Sequence, residues 1–275
     1  MNQRFKQFIK EGERPLFIPF ITAGDPTPEG TVEIALLLQE AGANAIELGI
    51  PYSDPLADGP VIQRASKRAL AHGMSLKKAM ALVPEMRKRG LEIPVVIFTY
   101  YNLLLQLGED QFYSLAQENE IDGLLVPDLP FEESDHLLEA GKNHDLPLIS
   151  LVAPTTSKKR LQQIASQAQG FLYCVSSLGV TGVREGEFKP VVYDFLSSVR
   201  QFSQVPIAVG FGISNAEQIK SLGNYCDGVI VGSAIVGEIE KRQKELIDPI
   251  HKSKALDELR SFLFDLLGRS INTRV

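Results

Sequence analysis

Residues 47–60, ELGIPYSDPLADGP, gather side chains able to move protons. A mostly apolar run, 43–46, leads into a carboxylate, Glu47, and reads as a short buried strand. Behind it Gly49, Pro51, Pro55, Gly59 and Pro60 are interleaved with Ser53, Asp54 and Asp58, the composition of a fixed, irregular loop. One carboxylate therefore ends a strand and two more lie in the loop that leaves it, an arrangement suited to general acid–base chemistry. A purely structural role competes with this. It makes Glu47 a salt-bridged strand end and Asp58 the N-cap of a helix starting near Pro60. The cap suits Asp58, where both readings stay open. It suits Glu47 badly, because a charge beside a buried strand is costly unless something pairs with it or needs it.

The elements that must hold these groups are short and regular. Apolar runs at 16–24, 43–48, 93–100, 121–128, 146–154, 170–176, 205–212 and 226–234 read as eight strands. Helical patterns follow them at 29–41, 60–72 with 75–89, 109–119, 131–143, 157–167, 190–201, from Ser214 as cap to Leu222, and after 234. The segment 102–108, NLLLQLG, continues the third apolar run, and an amphipathic helix over 252–267 closes the chain. Residues 2–11 form an extra N-terminal helix with Phe5, Phe8 and Ile9 on one side. Strands that are continuously apolar are expected where a parallel sheet is covered on both faces. Without a linker or composition break, the expected fold is α/β, a single (β/α)8 TIM barrel over residues 1–275. An open doubly wound sheet is the runner-up, but the first strand ends in AGDPTP, which is no dinucleotide fingerprint.

In such a barrel the chemistry lies where strands end and βα loops begin. That places Glu47, Tyr100 and Asp128 around one mouth, with Tyr173 nearby on the sixth strand. Three glycine clusters reach the same end: Gly179 and Gly182, Gly210 and Gly212, and Gly232 with Ser233. Each glycine alone can simply permit a tight turn. Three clusters in successive loops, the last opening a helix whose N-terminus suits an anion, point to a phosphate site.

Composition narrows the partners. A formal charge of −6 argues against nucleic acid or an anionic membrane as the main partner. The two cysteines, Cys174 and Cys226, fall in or at the start of apolar runs and read as buried residues. Cys and His show no zinc-like spacing, so no metal is expected; His72, His136, His144 and His251 are scattered among helices and helix ends. The N-terminus has no signal-peptide pattern and no apolar run reaches membrane-spanning length, so the cytoplasm is the default compartment, or a plastid stroma if a transit peptide has been removed.

The combination ELGIPYSDPLADGP, GVTG, GFGIS and VGSAIV resembles the tryptophan synthase alpha subunit family, from FIPFITAGDP to the last helix. The resemblance implies a lyase that cleaves indole-3-glycerol phosphate to indole and glyceraldehyde 3-phosphate by a retro-aldol reaction. It implies Glu47 and Asp58 as catalytic carboxylates. Phe20, Tyr100, Asp128, Tyr173 and Thr181 are the expected substrate contacts, with Gly182, Gly212, Gly232 and Ser233 as the phosphate cradle. It implies no cofactor in this chain and, as partner in an alpha2beta2 complex, a beta subunit that uses pyridoxal phosphate. The alternatives are a free-standing lyase releasing indole and, from another class, a non-catalytic phosphate-binding subunit, against which the intact Glu47 and Asp58 argue. Many bacterial relatives carry an Arg in the loop before GVTG, where this chain has Ser177 and Leu178. The loop 176–188 is expected to be a mobile lid over substrate, and the apolar loop residues around 51–56 a docking surface.

Overall fold

The computed structural model describes residues 2–176, 188–210 and 212–269. The eight expected strands are all present: β1 (Leu16–Thr22), β2 (Ile46–Gly49), β3 (Val95–Phe98), β4 (Gly123–Leu125), β5 (Ser150–Val152), β6 (Leu172–Val175), β7 (Ile207–Gly210) and β8 (Gly228–Val231). Every pairing is parallel, in the order β4-β3-β2-β1-β8-β7-β6-β5. The remaining seam closes through the Leu124–Leu148 bridge, where Leu124 N donates to Pro147 O and Ile149 N donates to Leu124 O. The result is a (β/α)8 barrel.

Parity explains why the strands read as unbroken apolar runs. Leu16, Ile18, Val96, Ile149, Phe171, Ala208 and Ile230 pack together inside the barrel. Their neighbours Phe17, Ile46, Val95, Ile97, Leu172, Ile207 and Val229 belong to a second core cluster, shared with the surrounding helices. Both sides of each strand leave water, so neither can be polar. The floor is sealed by the N-terminal helical turn, Phe5–Lys10, whose Phe5 and Ile9 enter the inner cluster while Phe8 stays half-buried. Buried Asp122 fastens this turn down, accepting from Asn2, Arg4 and Arg87 side chains and from Val95 N. A packed floor leaves the opposite, C-terminal end as the place for a site.

The helices follow the expected pattern with four local differences. After α1 (Pro28–Glu40) and α2 (Pro60–Ala71), the single helix expected over 75–89 is two, α3 (Leu76–Met80) and α4 (Leu82–Lys88). Pro84 has no N–H for the carbonyl one turn earlier, so the helix restarts around Ala81. The NLLLQLG segment is a helix, α5 (Tyr101–Leu107), leading directly into α6 (Glu109–Glu118). Three adjacent leucines hide a helical period that the tertiary contacts resolve. Further on come α7 (Asp135–Asn143), α8 (Lys158–Gln167), α9 (Pro190–Arg200) and α10 (Ala216–Leu222). The α10 cap is Asn215, whose side chain accepts from Gln218 N, and not Ser214. The chain ends with α11 (Ser233–Lys241), α12 (Gln243–Ile247) and α13 (Lys252–Leu266). Finally, the cap of α2 is Gly59, with no side-chain capping bond, so Asp58 is not held in place as a helix cap. Among the described residues, no helix is long and apolar enough to cross a membrane.

Gly210 has a structural job that differs from the ligand approach expected of it. A Cβ there would lie inside the Tyr173 ring, its nearest carbons being Cζ and Cε1. The glycine is what admits this aromatic ring to the barrel interior. Gly210→Ala should therefore cost about 1–3 kcal/mol through overpacking and displace Tyr173. Chemical denaturation checks the first effect. Unaltered stability would mean that the ring can move aside freely.

Candidate active site

Glu47 sits in the middle of β2, with Phe20 of β1 and Val96 of β3 as its register neighbours. Strand parity aims it into the barrel. It is 1% exposed, and its Oε1 has no hydrogen-bond partner among the described residues. Among the described residues no salt bridge secures it, so the purely structural account has no support here. Burial without compensation pushes its carboxyl up to about 8. The acid is therefore mostly protonated at neutral pH. Tyr173 stands close enough that the Glu47 charge adds to the burial that raises its own hydroxyl pKa.

Asp58 faces the same space from the loop after β2. Burial raises its carboxyl to about 6, and a hydrogen bond with the Tyr100 hydroxyl holds it lower than burial alone would. The Tyr100 hydroxyl also accepts from Ala57 N at 3.0 Å, and the Tyr52 ring lies 5.1 Å from the Tyr100 ring. Tyr100 thus fixes the loop that presents Asp58. Two carboxyls share the mouth in different states: one largely protonated and the other ionised at neutral pH. That is the pattern of an acid and a charge-stabilising base in one site.

The pocket between them is lined by Phe20, Glu47, Asp58, Tyr173, Gly212, Gly232 and Ser233, with a wall of Ile62, Phe98, Leu151, Ile213 and Ile230. The Phe20 and Phe98 rings meet edge to face, 5.4 Å apart, and Gly49 is bare beneath Phe20 because a Cβ there would strike the ring. Such apolar walls suit a flat aromatic ligand. At the far end Gly232 precedes the first turn of α11, which starts at Ser233. Gly212 has φ +85°, a backbone conformation that side chains rarely adopt. The N-terminus of α11 directs backbone N–H groups and a partial positive charge toward this end, which suits an anion.

The expected residues divide as follows. Glu47, Asp58, Phe20, Tyr173, Gly212, Gly232 and Ser233 are brought together; Tyr100 stands behind Asp58. Asp128 is not among them. Its Oδ1 accepts from Tyr101 N at 2.9 Å, capping the start of α5, and it lines a neighbouring cleft with Arg160. Thr181 and Gly182, like Gly179 and residues 177–187 of the expected lid, lie outside the described residues. The apolar wall was missed at the level of sequence. Phe98 could have been found, because it follows Glu47's register partner Val96 by two residues and so shares its inward parity. Among the described residues, no group of three or more His, Cys, Asp or Glu is placed to hold a metal ion.

Carboxylates facing the C-terminal mouth of a barrel whose floor is sealed follow the common plan of (β/α)8-barrel enzymes, and this chain has that plan. The comparisons narrow the class. The family model described as "Tryptophan synthase alpha chain" matches residues 5–262. The tryptophan synthase alpha chain of Geobacillus sp. (strain WCH70) is 60% identical over 249 residues, covering 90% of this chain and 94% of the relative. That of Bacillus subtilis (strain 168) is 56% identical over 264 residues, covering 96% and 98%. Among solved structures, a chain of the tryptophan synthase a2b2 complex from Pyrococcus furiosus superposes with TM-score 0.83 at 37% identity, covering 93% of this chain and 99% of that one. A chain of Mycobacterium tuberculosis tryptophan synthase gives TM-score 0.83 at 31% identity, covering 97% and 96%. The chain belongs to the tryptophan synthase alpha chain family.

Proposed function

We propose that this chain is the lyase half of a tryptophan synthase, cleaving indole-3-glycerol phosphate to indole and glyceraldehyde 3-phosphate. The observation that carries the reading is the buried Glu47 carboxyl in the pocket, whose Oε1 has no hydrogen-bond partner among the described residues. Cleavage of the bond from indole C3 to the glycerol chain first needs a proton on C3. It then needs a proton taken from the adjacent hydroxyl, so that its oxygen becomes the aldehyde carbonyl as the bonding pair returns to the ring. Glu47 starts protonated, gives the first proton and recovers the second, leaving the enzyme unchanged. Asp58, ionised above about pH 6, accepts a hydrogen bond from the indole N–H and stabilises the positive charge that develops on the ring. Phe20 and Tyr173 flank the ring. Gly212, Gly232, Ser233 and the N-terminus of α11 take the phosphate, whose binding energy holds the geometry; Gly182 and Thr181 complete the reading on resemblance. The cycle as written calls on no metal or organic cofactor of this chain. Pyridoxal phosphate belongs to the partner beta subunit, which condenses the indole with serine.

The reading takes residues 1–275 as one barrel domain and the cytoplasm as its compartment, in keeping with its small-molecule chemistry. Docking of the beta subunit is supported by two exposed leucines on elements that flank the mouth. Leu56 is 77% exposed in the loop after β2, and Leu105 is 57% exposed on α5. Asn102 of α5 donates to the Tyr52 hydroxyl at 3.1 Å, joining loop and helix into one surface. Exposed apolar groups on one joined surface are what a docking partner would cover. The test is indole release from indole-3-glycerol phosphate, with and without a beta subunit. Activity that the beta subunit increases is expected; activity that ignores it would favour a free-standing lyase, and no release at all would overturn the reading. Changing Pro55 and Leu56 to polar residues should weaken beta-subunit affinity and activation, with basal cleavage little changed. Normal affinity and activation in that variant would assign the loop to catalysis alone.

A further inference from the structure

A charged network connects the helix behind Asp58 to the helix behind the phosphate end. Arg64 and Arg68 lie one turn apart on α2, which begins just after Asp58. Arg64 grips Glu240 of α11 with two bonds, Nε to Oε1 at 2.8 Å and Nη2 to Oε2 at 2.7 Å. Arg68 adds a third to the same carboxylate, Nη1 to Oε1 at 2.6 Å. Its other edge forks onto Asp25, Nε to Oδ1 at 2.7 Å and Nη2 to Oδ2 at 2.9 Å. Asp25 is 2% exposed in the loop after β1. Inside this polar frame Ile62 and Ala65 of α2 pack against Val236 of α11 and against Phe20, whose ring lines the pocket. Apolar packing therefore joins the first turns of α2 and α11 to the end of β1. The charged cluster ties the last turn of α11, at Glu240, to the later turns of α2 and to the loop after β1. Each helix carries that constraint to its N-terminal end.

We infer that Arg68 and Glu240 are positioning residues that set the distance between Asp58 and the N-terminus of α11, and so fix the length of ligand the site accepts. The inference rests on the functional reading above, in which Asp58 holds the ring end and α11 the phosphate end. Neither residue lines the pocket. Planar guanidinium forks on carboxylates hold direction as well as distance, which point charges do not. A frame of this kind has no effect on a ligand that touches only one end. It acts on a ligand that must reach both ends at once, because misplacing one anchor relative to the other weakens only simultaneous contact.

The experiment compares wild type, Glu240→Gln and Arg68→Lys with three probes: inorganic phosphate, indole, and a non-cleavable indolylalkyl phosphate that spans the site. Glu240→Gln leaves the Arg68–Asp25 fork in place and keeps the fold, so it tests the link to α11 even if Arg68→Lys is destabilised around buried Asp25. In each variant the two-ended ligand should lose about tenfold in affinity, while phosphate and indole stay within about twofold of wild type. A parallel loss for all three probes would mean simple destabilisation and overturn the inference, as would unchanged affinity for the two-ended ligand. A wild type that binds phosphate and indole separately but not the spanning ligand would instead overturn the functional reading on which the inference stands.

Discussion

Glu47→Gln is expected to lower indole release by about two to four orders of magnitude, the range of a general acid–base group, while phosphate-ligand binding stays close to wild type. The substitution keeps shape and polarity and removes only the exchangeable proton. The proposed cradle at Gly212, Gly232 and Ser233 lines the same pocket, and Glu47 Oε1 has no hydrogen-bond partner among the described residues. A loss confined to turnover therefore separates proton transfer from binding. Wild-type turnover in the variant would remove Glu47 from the chemistry and leave its uncompensated burial unexplained. Loss of phosphate binding together with turnover would point to a collapsed mouth, with no specific role for the proton.

The same burial predicts a large pH effect on stability. In the unfolded chain Glu47 titrates near 4.5; in the fold it titrates at about 8, because burial disfavours the charged form. The native state then binds more protons than the unfolded state between these values, so stability is full below about pH 4.5 and falls as pH rises toward 8. Above that it levels off. The size of the penalty is on the order of 5 kcal/mol. Asp58 adds a smaller loss of the same sign between its ordinary value of 3.8 and about 6. Glu47→Gln cannot ionise, so it should gain on wild type progressively as the pH rises. Unfolding free energies at pH 5, 7 and 9 measure this. The gap between the two proteins should widen by several kcal/mol, and parallel curves would show that Glu47 titrates normally in the fold. In the proposed mechanism the gain in stability would accompany the loss of activity, because the carboxyl whose ionisation burial penalises is the one assigned to proton transfer.

The two predictions rest on different kinds of legibility. That Glu47 is out of the ordinary was readable from the chain, because an acidic residue following an apolar run is anomalous in itself, and the structure buries it. Between a helix cap and a functional role for Asp58, residue pattern alone left both open. Asp-Gly-Pro before a helical pattern is a sound capping signal, and only the backbone, with Gly59 in the cap position, excludes it. Asp128 differs in the opposite direction, lining the neighbouring cleft and not the pocket with Glu47. Its place at the end of the fourth apolar run put it at the mouth, but its side chain is taken up by Tyr101 N. Gly210 was misassigned for a similar reason: a missing side chain can serve a ligand or a neighbouring ring, and the difference lies in what stands opposite.

What the sequence by itself determined is the plan: eight strands, their helices, the barrel, and a carboxylate, Glu47, on the second strand. Those follow from local periodicity and from glycine and proline punctuation, which act within a few residues of one another. The tertiary structure decided which of the mouth residues share a pocket and in what protonation state. It also decided that α5 is a helix, that Phe98 and Ile230 wall the site, and that Arg68 on α2 ties Asp25 to Glu240. These depend on register between strands and on burial, which pair residues far apart in the chain. The local pattern around Glu47 carries no trace of Tyr173 or Phe98; the closure of the sheet alone brings them to it.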